Sequence, residues 1–266
     1  MNPEQRPEYR SLAVHNEAAV ATLTMQRPER KNALNPMLIN ELLWALDDAR
    51  DDPEIRVIVL TGSGGTFCAG ADLSQMSGGD DQKELLLAPK GDLAELLLRF
   101  PKLHKPVIAK VNGVALGGGL GLVASCHFAI ATSSAKLGTP EILRGLFPMQ
   151  IMAVLDRLVP QRQLLELMLL GQTVDAERAR ELGLVTRVVP DEKLDGAIDE
   201  LAKALAARSP TAMRMGLEAY VAQSGKPMVE SLPYLRAQLL GLLATEDAME
   251  GLSAFLQKRP PHWGGH

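Results

Sequence analysis

The sequence predicts an α/β protein with a layered core followed by a helical C-terminal region. Up to about residue 158, short apolar runs with the character of buried strands alternate with amphipathic helical patterns. This alternation is typical of βαβ units joined by right-handed crossovers. From residue 159 onward helical patterns prevail. We therefore expect an α/β core at residues 1–158 and a helical region at residues 159–266.

The elements of the core follow from periodicity and from breaker residues. Alternating residues at 11–15 and 19–25 predict a hairpin that turns at Asn16 and Glu17. Asn35 and Pro36 are suited to begin a helix, which the breakers at residues 51–53 end. The other expected core elements are a helix at residues 92–100, a small apolar segment at 117–124, and buried strands at 57–60, 106–111 and 128–131.

Beyond the core, apolar residues recur at spacings of three and four, which predicts mainly helices. We expect them at residues 164–170, 176–181, 194–207, 213–223 and 229–244. One strand, at residues 184–189, interrupts them. No repeat, low-complexity linker or long charge run divides the chain, so the boundary near residue 158 does not imply separate folding units.

Composition and charge exclude several classes of protein. The chain has 266 residues, 46% of them hydrophobic, and can bury a full core without disulfides or a structural metal. A net charge of -4 does not suit a nucleic-acid partner. The apolar runs are shorter than the roughly 20 residues of a membrane span, and residues 1–10 resemble neither a signal nor a transit peptide. A cytoplasmic protein without nucleic-acid or membrane partners is expected.

Metal, redox and nucleotide sites are not predicted either. Cys68 and Cys126 lie in different segments, so both are expected to be buried thiols. The histidines lack the spacing of metal ligands. The glycines at residues 62–65 lack the lysine of a phosphate loop, and no G-x-G-x-x-G follows a strand. Neither a metal ion nor a nucleotide cofactor is therefore expected.

Two segments rich in small residues are the first candidates for a site. Residues 67–73 follow the strand at 57–60, and residues 112–121 follow the strand at 106–111. Small side chains let a ligand approach the main chain, and glycines that begin a helix leave N–H groups directed outward. One N–H group from each segment could bind the same oxygen as an oxyanion hole. The alternative is that the glycines only allow a helix to pack closely on a strand.

Glu141 is the candidate acid or base. It follows Pro140 at the end of a strand-like segment, and its neighbours between residues 135 and 160 are largely apolar. Apolar surroundings raise the pKa of a carboxyl group toward the range that is useful for proton transfer. The alternative interpretation is an ion pair with Arg144.

Four motifs, in this order, resemble those of the enoyl-CoA hydratase/isomerase (crotonase) superfamily. They read F-C-A-G-A-D-L, K-P-V-I-A-K-V-N-G-V-A-L-G-G-G, P-E-I-L-x-G and G-x-S-A-F-L-Q-K-R, and the resemblance covers residues 9–259. It implies a crotonase-like spiral of βαβ units with a helical C-terminal region that builds a homo-trimer, commonly paired as a hexamer. It also implies an acyl-CoA thioester substrate, with coenzyme A as part of the substrate and no separate cofactor.

The resemblance further implies roles for individual residues. The N–H groups of Ala71 and Gly118 would hold the thioester oxygen, and Glu141 would transfer protons. The basic residues that would bind coenzyme A include Arg30 and Lys258, the latter reaching the nucleotide of a neighbouring subunit. Further residues expected to contact the substrate are Ala69, Asp72, Leu73 and Gly117.

Two departures from the family pattern affect the expected reaction. Related hydratases carry a second glutamate at the position of Gly121, so this chain has one carboxylate and, we expect, a larger pocket. Phe147 and Met149 belong to a segment where relatives have glycines, which indicates an adaptable apolar wall. One carboxylate suffices to move a double bond, because it can take a proton from the α carbon and return it at the γ carbon.

We therefore expect an acyl-CoA enzyme that works through a thioester enolate, either as a double-bond isomerase or as a hydratase. The alternative from a different class is a non-catalytic acyl-CoA binding or assembly protein with the same fold. A pure binder has no need of a carboxylate in an apolar setting, so the state of Glu141 distinguishes the two hypotheses.

Overall fold

A computed structural model describes residues 8–76 and 86–265, so residues 1–7, part of the N-terminal segment considered for targeting, lie outside the described residues. The strands of the described part are β1 (Leu12–Glu17), β2 (Val20–Met25), β3 (Val57–Gly62), β4 (Thr66–Cys68), β5 (Val107–Val111), β6 (Val114–Leu116), β7 (Phe128–Thr132), β8 (Lys136–Gly138), β9 (Thr173–Asp175) and β10 (Arg187–Val189). The helices are α1 (Pro36–Asp51), α2 (Leu73–Met76), α3 (Leu93–Arg99), α4 (Gly118–Ser125), α5 (Met149–Leu155), α6 (Gln161–Leu170), α7 (Ala176–Glu181), α8 (Leu194–Ala206), α9 (Pro210–Gln223), α10 (Met228–Leu243) and α11 (Glu246–Leu256).

Three consecutive turns of the chain each contribute one strand to each of two sheets. The larger sheet has the order β1-β2-β3-β5-β7-β10, and the smaller has the order β4-β6-β8-β9. β3, β5 and β7 are parallel neighbours in the larger sheet. Each is followed after two or three residues by β4, β6 or β8, which are parallel neighbours in the smaller sheet. The predicted spiral of βαβ units is confirmed.

The larger sheet is covered on both faces. Every residue of β3 is buried, which explains its uninterrupted apolar run. One face joins the main hydrophobic core, and the other packs through Val57, Val59 and Ile108 against α8. Leu164 and Leu167 of α6 belong to the main core, so this core continues across residue 158. The division of the chain at that residue stays a prediction.

The helices that flank the core begin at the residues that the sequence indicates. The Asn35 side chain accepts a hydrogen bond from the N–H of Leu38 at the start of α1, with Pro36 in the first turn. Asp92 and Glu95 form a capping box at the start of α3. The segment at 117–124 forms α4, whose first residue is Gly118.

The hairpin turns at a different place from the predicted one. Asn16 and Glu17 are the last residues of β1 and pair with Ala21 and Val20. The chain reverses at Ala18 and Ala19, which have φ values of 46° and 67°. A two-residue turn with both residues in this left-handed region is usually built from glycine or asparagine, so two alanines carry no turn signal.

The C-terminal helices are confirmed as α6 to α10, with shifts at their ends. α9 begins at Pro210 because Ser209 caps it by accepting a hydrogen bond from the N–H of Ala212. The strand expected at residues 184–189 is shortened to β10, since Leu184 and Val185 are buried in the core before the strand begins. Neither α5 nor α11 was predicted. In the described ranges, no helix is both long and apolar enough to cross a membrane.

Candidate active site

The three residues expected to carry the chemistry lie at one edge of the smaller sheet. Ala71, Gly118 and Glu141 come two or three residues after the ends of β4, β6 and β8. Parallel strands end at the same edge of a sheet, so the segments that follow these three strands lie side by side. Each turn of the spiral therefore contributes one candidate residue to a common location.

The N–H group of Ala71 is directed by a short pairing with residue 34. Leu34 donates its N–H to the carbonyl of Gly70 and accepts the N–H of Asp72, at 2.8 and 2.9 Å. These two bonds make a parallel bridge between Leu34 and Ala71. In such a bridge the residue between the two bonds turns its own N–H to the opposite side, so the N–H of Ala71 points away from Leu34.

Gly118 lies close to the Ala71 nitrogen. A Cβ atom on Gly118 would be 4.0 Å from the Ala71 nitrogen, and one on Gly70 would be 3.6 Å from the Gly118 nitrogen. Gly118 is the first residue of α4, and the first backbone bond of this helix runs from Gly121 to Gly117. Its N–H group thus belongs to the first turn, where amides have no intrahelical acceptor. The two N–H groups can bind one oxygen atom between them.

The carboxylate of Glu141 lies against Gly117, the residue before Gly118. Its Oε1 atom is 2.7 Å from the position that a Cβ atom on Gly117 would occupy. Gly117 has φ of +51° and donates its N–H to the carbonyl of Gly138, which fixes the end of β8 beside the start of α4. Glu141 itself lies in a 3-10 helix at Pro140–Arg144 that follows β8 directly.

The surroundings of Glu141 make its carboxyl group harder to ionise than that of an ordinary glutamate. Burial raises the pKa of this carboxyl group, and its own backbone N–H and the charge of Arg144 lower it by less. The Oε2 atom is buried and has no hydrogen-bond partner. Arg144 is exposed and donates to the carbonyl of Pro140. The ion pair considered as an alternative is therefore not formed, and the carboxyl group is suited to exchange a proton with a bound molecule.

The other expected contact residues of the segment at 67–73 differ in the groups that they can present to a ligand. Ala69 is half-buried and donates its N–H to Lys31, and the Leu73 side chain is 44% exposed. Asp72 is only 8% exposed, and its carboxylate accepts hydrogen bonds from Arg27 and Ser74. Its oxygens are thus already bound inside the protein. The carboxylate is therefore not available to a ligand, and the expected contact of residue 72 with the substrate stays a prediction.

The two basic residues assigned to coenzyme A are both exposed. Arg30 ends a 3-10 helix at Pro28–Arg30, directly before the segment that pairs with residues 69–72. Lys258 follows α11, which packs on α9 and α10 rather than at the edge where Glu141 lies. In the single chain the structure brings Arg30 near the candidate site and leaves Lys258 outside it. Their roles stay predictions.

Gly121 does not enlarge a pocket, which corrects the expectation from the sequence. A Cβ atom at this position would lie 2.4 Å from Cγ2 and 3.0 Å from Cβ of Ile151 in α5. Ile151 is 2% exposed and belongs to the main core. Its side chain therefore fills the space that a larger residue at position 121 would need.

Phe147 and Met149, which were expected to form one apolar wall, lie in different surroundings. Phe147 is half-buried and packs against the main core. The Met149 side chain is 67% exposed and lines a groove of about 380 Å³ between α5 and α6. The other residues of this groove are Met152, Ala153, Asp156, Gln161, Leu164, Leu165 and Met168. Its lining is mainly apolar and adaptable, but it does not include Glu141.

Neither cysteine is suited to act as a nucleophile. Cys68 is fully buried, and burial raises the pKa of its thiol to about 12. Cys126 as a whole residue is half-buried. Its sulfur is buried, and this burial raises the pKa of the Cys126 thiol as well. Across residues 8–76 and 86–265, no three His, Cys, Asp or Glu side chains are grouped as metal ligands.

Two residues that shape the site were not predicted from the sequence. Leu34 directs the Ala71 N–H through the backbone, a role that leaves no side-chain signal. The resemblance places Arg27 in a basic segment, residues 27–31, that would bind coenzyme A, but its side chain is 11% exposed and pairs with Asp72. A carboxylate within the otherwise apolar motif F-C-A-G-A-D-L was the available signal, because a buried charge requires a partner.

Comparisons with known proteins agree along nearly the whole chain. The family model described as enoyl-CoA hydratase/isomerase matches residues 15–266. The 2,3-dehydroadipyl-CoA hydratase of Escherichia coli is 37% identical over 257 residues, which cover 96% of this chain and 98% of that protein. An enoyl-CoA hydratase structure from Mycobacterium smegmatis has a TM-score of 0.88 at 33% identity and covers 96% of this chain and 99% of its own. One from Bacillus anthracis has a TM-score of 0.88 at 31% identity, with coverages of 97% and 100%.

Proposed function

The chain belongs to the enoyl-CoA hydratase/isomerase family, and we propose that it moves the double bond of an enoyl-CoA thioester through an enolate. In this proposal the N–H groups of Ala71 and Gly118 bind the thioester oxygen. Glu141 is the one group that takes and returns the proton. Coenzyme A is part of the substrate and no other cofactor takes part.

The observation that carries the proposal is the position and state of the Glu141 carboxyl group. It lies against Gly117, one residue from Gly118, which lies close to the Ala71 nitrogen. Its pKa is raised by burial, and Oε2 is unpartnered. A carboxyl group with a raised pKa transfers protons more readily near neutral pH than an ordinary glutamate. A binding protein without chemistry gains nothing from burying such a group, so this observation favours an enzyme.

The proposed reaction begins with a 3-enoyl thioester. The Glu141 carboxylate removes a proton from the α carbon, and the electron pair of that C–H bond delocalises onto the thioester oxygen as a dienolate. The N–H groups of Ala71 and Gly118 stabilise the negative oxygen, an effect that is strong because the donors are fixed in advance. The Glu141 carboxylic acid then returns the proton to the γ carbon, which leaves the double bond at the 2,3 position.

Hydration of a 2-enoyl thioester is the second candidate, because the relatives reported above are named as hydratases. This reaction requires a water molecule to be oriented and deprotonated and a proton to be delivered to the α carbon. Glu141 would have to do both, since position 121 is glycine and Ile151 fills the space beside it. These contacts favour isomerisation over hydration.

The wild-type protein decides between the two reactions. Matched unbranched 2-enoyl- and 3-enoyl-CoA thioesters are incubated with it, and the products are followed by mass and by chromatography. We expect interconversion of the two enoyl thioesters to be faster than hydration. Fast hydration without any isomerisation would contradict the proposed reaction.

The role of Glu141 is tested by Glu141→Gln, which keeps the shape of the side chain and removes the proton acceptor. We expect turnover to fall by about 10²- to 10⁴-fold, the usual contribution of a general acid or base. Binding of the thioester should change little. Glu166→Gln, at an exposed position of α6, is the matched control and should retain wild-type turnover. Wild-type turnover in Glu141→Gln would contradict the assignment.

We also propose that the protein forms trimers, single or paired. Large apolar side chains on α10 and α11 support this, since Val229 and Phe255 are 78% and 80% exposed. Lys258 follows Phe255 closely in the chain, just after the end of α11, as a residue that reaches a neighbouring subunit would. Light scattering at micromolar concentration tests the assembly, and a monomer would contradict it.

A further inference from the structure

A buried ion pair lies directly behind the oxygen-binding N–H group of Ala71. Arg27 donates to Oδ2 of Asp72 at 3.0 Å, and the two side chains are only 11% and 8% exposed. Asp72 is the residue after Ala71. Burial raises the pKa of the Asp72 carboxyl group, but hydrogen bonds from Ser74 and Arg27 outweigh it, so the pKa lies below its usual range. The pair is therefore ionised.

Arg27 joins the segment at residues 70–72 to the loop at residues 27–34, which pairs with it through Leu34. Besides Asp72, its guanidinium donates to the carbonyl of Ala33. One planar group with donors in a fixed fork thus holds both the residue after Ala71 and the residue before Leu34. Leu34 is the residue whose backbone directs the Ala71 N–H.

The loop itself is fixed to the sheet by Asn32. The Arg27 N–H donates to the Asn32 side-chain oxygen, and the Asn32 side-chain amide donates to the carbonyls of Ser63 and Thr66, at 2.9 and 2.7 Å. Asn32 has no exposed surface and a φ of +53°. The connection therefore runs from the start of β4 through this loop to the Ala71 segment.

The surroundings exclude a simpler role for Arg27 as a phosphate ligand. Each of its two terminal nitrogens donates to a group inside the protein, Ala33 or Asp72, and the side chain is only 11% exposed, whereas Arg30, in the same loop, is exposed. An arginine that binds a coenzyme A phosphate has to present its donors to solvent or to the ligand.

We propose that Arg27 and Asp72 are positioning residues that hold the Ala71 N–H in the direction required to bind the thioester oxygen. The proposal rests on the proposed function, because it concerns the same N–H group. The pair does not touch the substrate. It acts through the main chain of residues 33–34 and 71–72. The Arg27 side chain links these two segments, and the backbone hydrogen bonds of Leu34 link them a second time.

The experiment compares Arg27→Lys with Arg99→Lys. Lysine keeps the charge but cannot donate to Asp72 and Ala33 with one planar fork. Arg99 pairs with Asp47 at 3.0 Å, with side chains 23% and 11% exposed, and so offers a similar half-buried ion pair elsewhere in the fold. A misdirected donor costs about tenfold to a hundredfold in rate, so we expect kcat of Arg27→Lys to fall by that factor with KM nearly unchanged. Arg99→Lys should lose thermal stability and keep kcat.

A spectroscopic measurement separates this proposal from the proposed reaction. The absorption of a conjugated 2,4-dienoyl-CoA moves to longer wavelength when its carbonyl oxygen accepts strong hydrogen bonds. The shift is recorded with the Glu141→Gln protein, in which turnover is slow, and again with the double variant that also carries Arg27→Lys. We expect the shift to be smaller in the second protein.

Each outcome has a defined meaning. If the Glu141→Gln protein causes no shift, the oxygen-binding site of the proposed function is contradicted. If it causes a shift that Arg27→Lys leaves unchanged, the positioning role is overturned while the proposed function stands. Should Arg27→Lys fail to fold, Asp72→Asn, which keeps the side-chain shape and removes the charge, is measured in its place. An unchanged shift and unchanged kcat in Asp72→Asn would equally overturn the role.

Discussion

The Oε1 atom of Glu141 lies 2.7 Å from the point where a Cβ atom on Gly117 would sit. Glycine at position 117 is thus required for two reasons, because the backbone there also has φ of +51°. The carboxylate occupies the space that every other residue type would fill. The absence of a side chain at Gly117 therefore leaves the space that the Glu141 carboxylate occupies.

Gly117→Ala should displace the Glu141 carboxylate and reduce turnover strongly while the protein stays folded. Gly225→Ala is the matched control, since Gly225 has φ of +76° and no atom within 4 Å of an added Cβ. Both variants carry the same kind of backbone strain, of order 1–3 kcal/mol. We expect similar losses of Tm and a loss of kcat in Gly117→Ala only. Equal kcat values in the two variants would show that the contact with Glu141 is unimportant.

Gly118→Pro and Gly118→Ala together measure the second oxygen-binding donor. Both add a Cβ atom close to Cδ1 of Leu34, the flexible end of a side chain, but only proline removes the N–H group. Proline is tolerated in the first turn of a helix. We expect kcat of the proline variant to be about 10²- to 10³-fold below that of the alanine variant, as for the loss of one oxyanion-hole donor. Equal rates in two folded proteins would contradict the proposed hole.

The pH dependence of kcat/KM should reflect the raised pKa of Glu141. The base form is the carboxylate, so activity falls as the pH drops through the pKa of this group. Burial raises that pKa, and the acid limb should therefore lie above the pH at which an ordinary glutamate titrates. A stopped assay with the thioester across the pH range gives the limb. An acid limb at the ordinary value would contradict the interpretation of Glu141 as a buried base.

The same group should make the protein less stable as the pH rises. The folded pKa is raised, so the unfolded chain releases this proton at lower pH than the folded protein does. Stability is then fully present below the unfolded pKa and is lost as pH rises through the folded pKa. The Tm of wild type relative to Glu141→Gln should accordingly fall over this interval, measured by calorimetry in parallel buffers. A difference that is constant with pH would argue against the raised pKa.

A second carboxylate at position 121 should require a change in α5 as well. Gly121→Glu places a Cβ atom 2.4 Å from Cγ2 of Ile151, so the single variant should lose stability without gaining hydration. Gly121→Glu combined with Ile151→Gly removes the obstruction and should hydrate 2-enoyl thioesters faster than wild type. Ile151→Gly by itself is the control for the cavity. Hydration in the Gly121→Glu protein at unchanged Tm would show that Ile151 is not the obstacle.

Local signals in the sequence predicted much of the fold. The apolar run of β3 and the cap at Asn35 each report a property of a few neighbouring residues, and both are confirmed. The turn at Ala18 and Ala19 was not predictable, because the partner strand and not the residue type imposes the left-handed backbone. Propensity is a weak guide where a tertiary contact decides the conformation.

The candidate site was predictable to a similar extent. The small residues around Ala71 and Gly118 indicate that a ligand can approach the main chain closely. Glu141 stands out as a carboxylate among apolar neighbours. The contact of Gly121 with Ile151 joins residues thirty positions apart on two helices, and it follows no period. The ion pair of Asp72 with Arg27 likewise joins distant parts of the chain, so no local pattern in the sequence predicts it.

The three turns of the spiral divide the proposed task between them. The first two supply Ala71 and Gly118 from neighbouring strands, and the third supplies Glu141. In the proposed reaction the two donors that bind the thioester carbonyl therefore come from other turns than the group that transfers the proton. A change at Glu141, or at the Ile151 contact that leaves no room for a second carboxylate at position 121, can therefore alter the proposed reaction while both donors stay in place. The architecture thus lets new chemistry arise in this chain without first giving up its class of substrate.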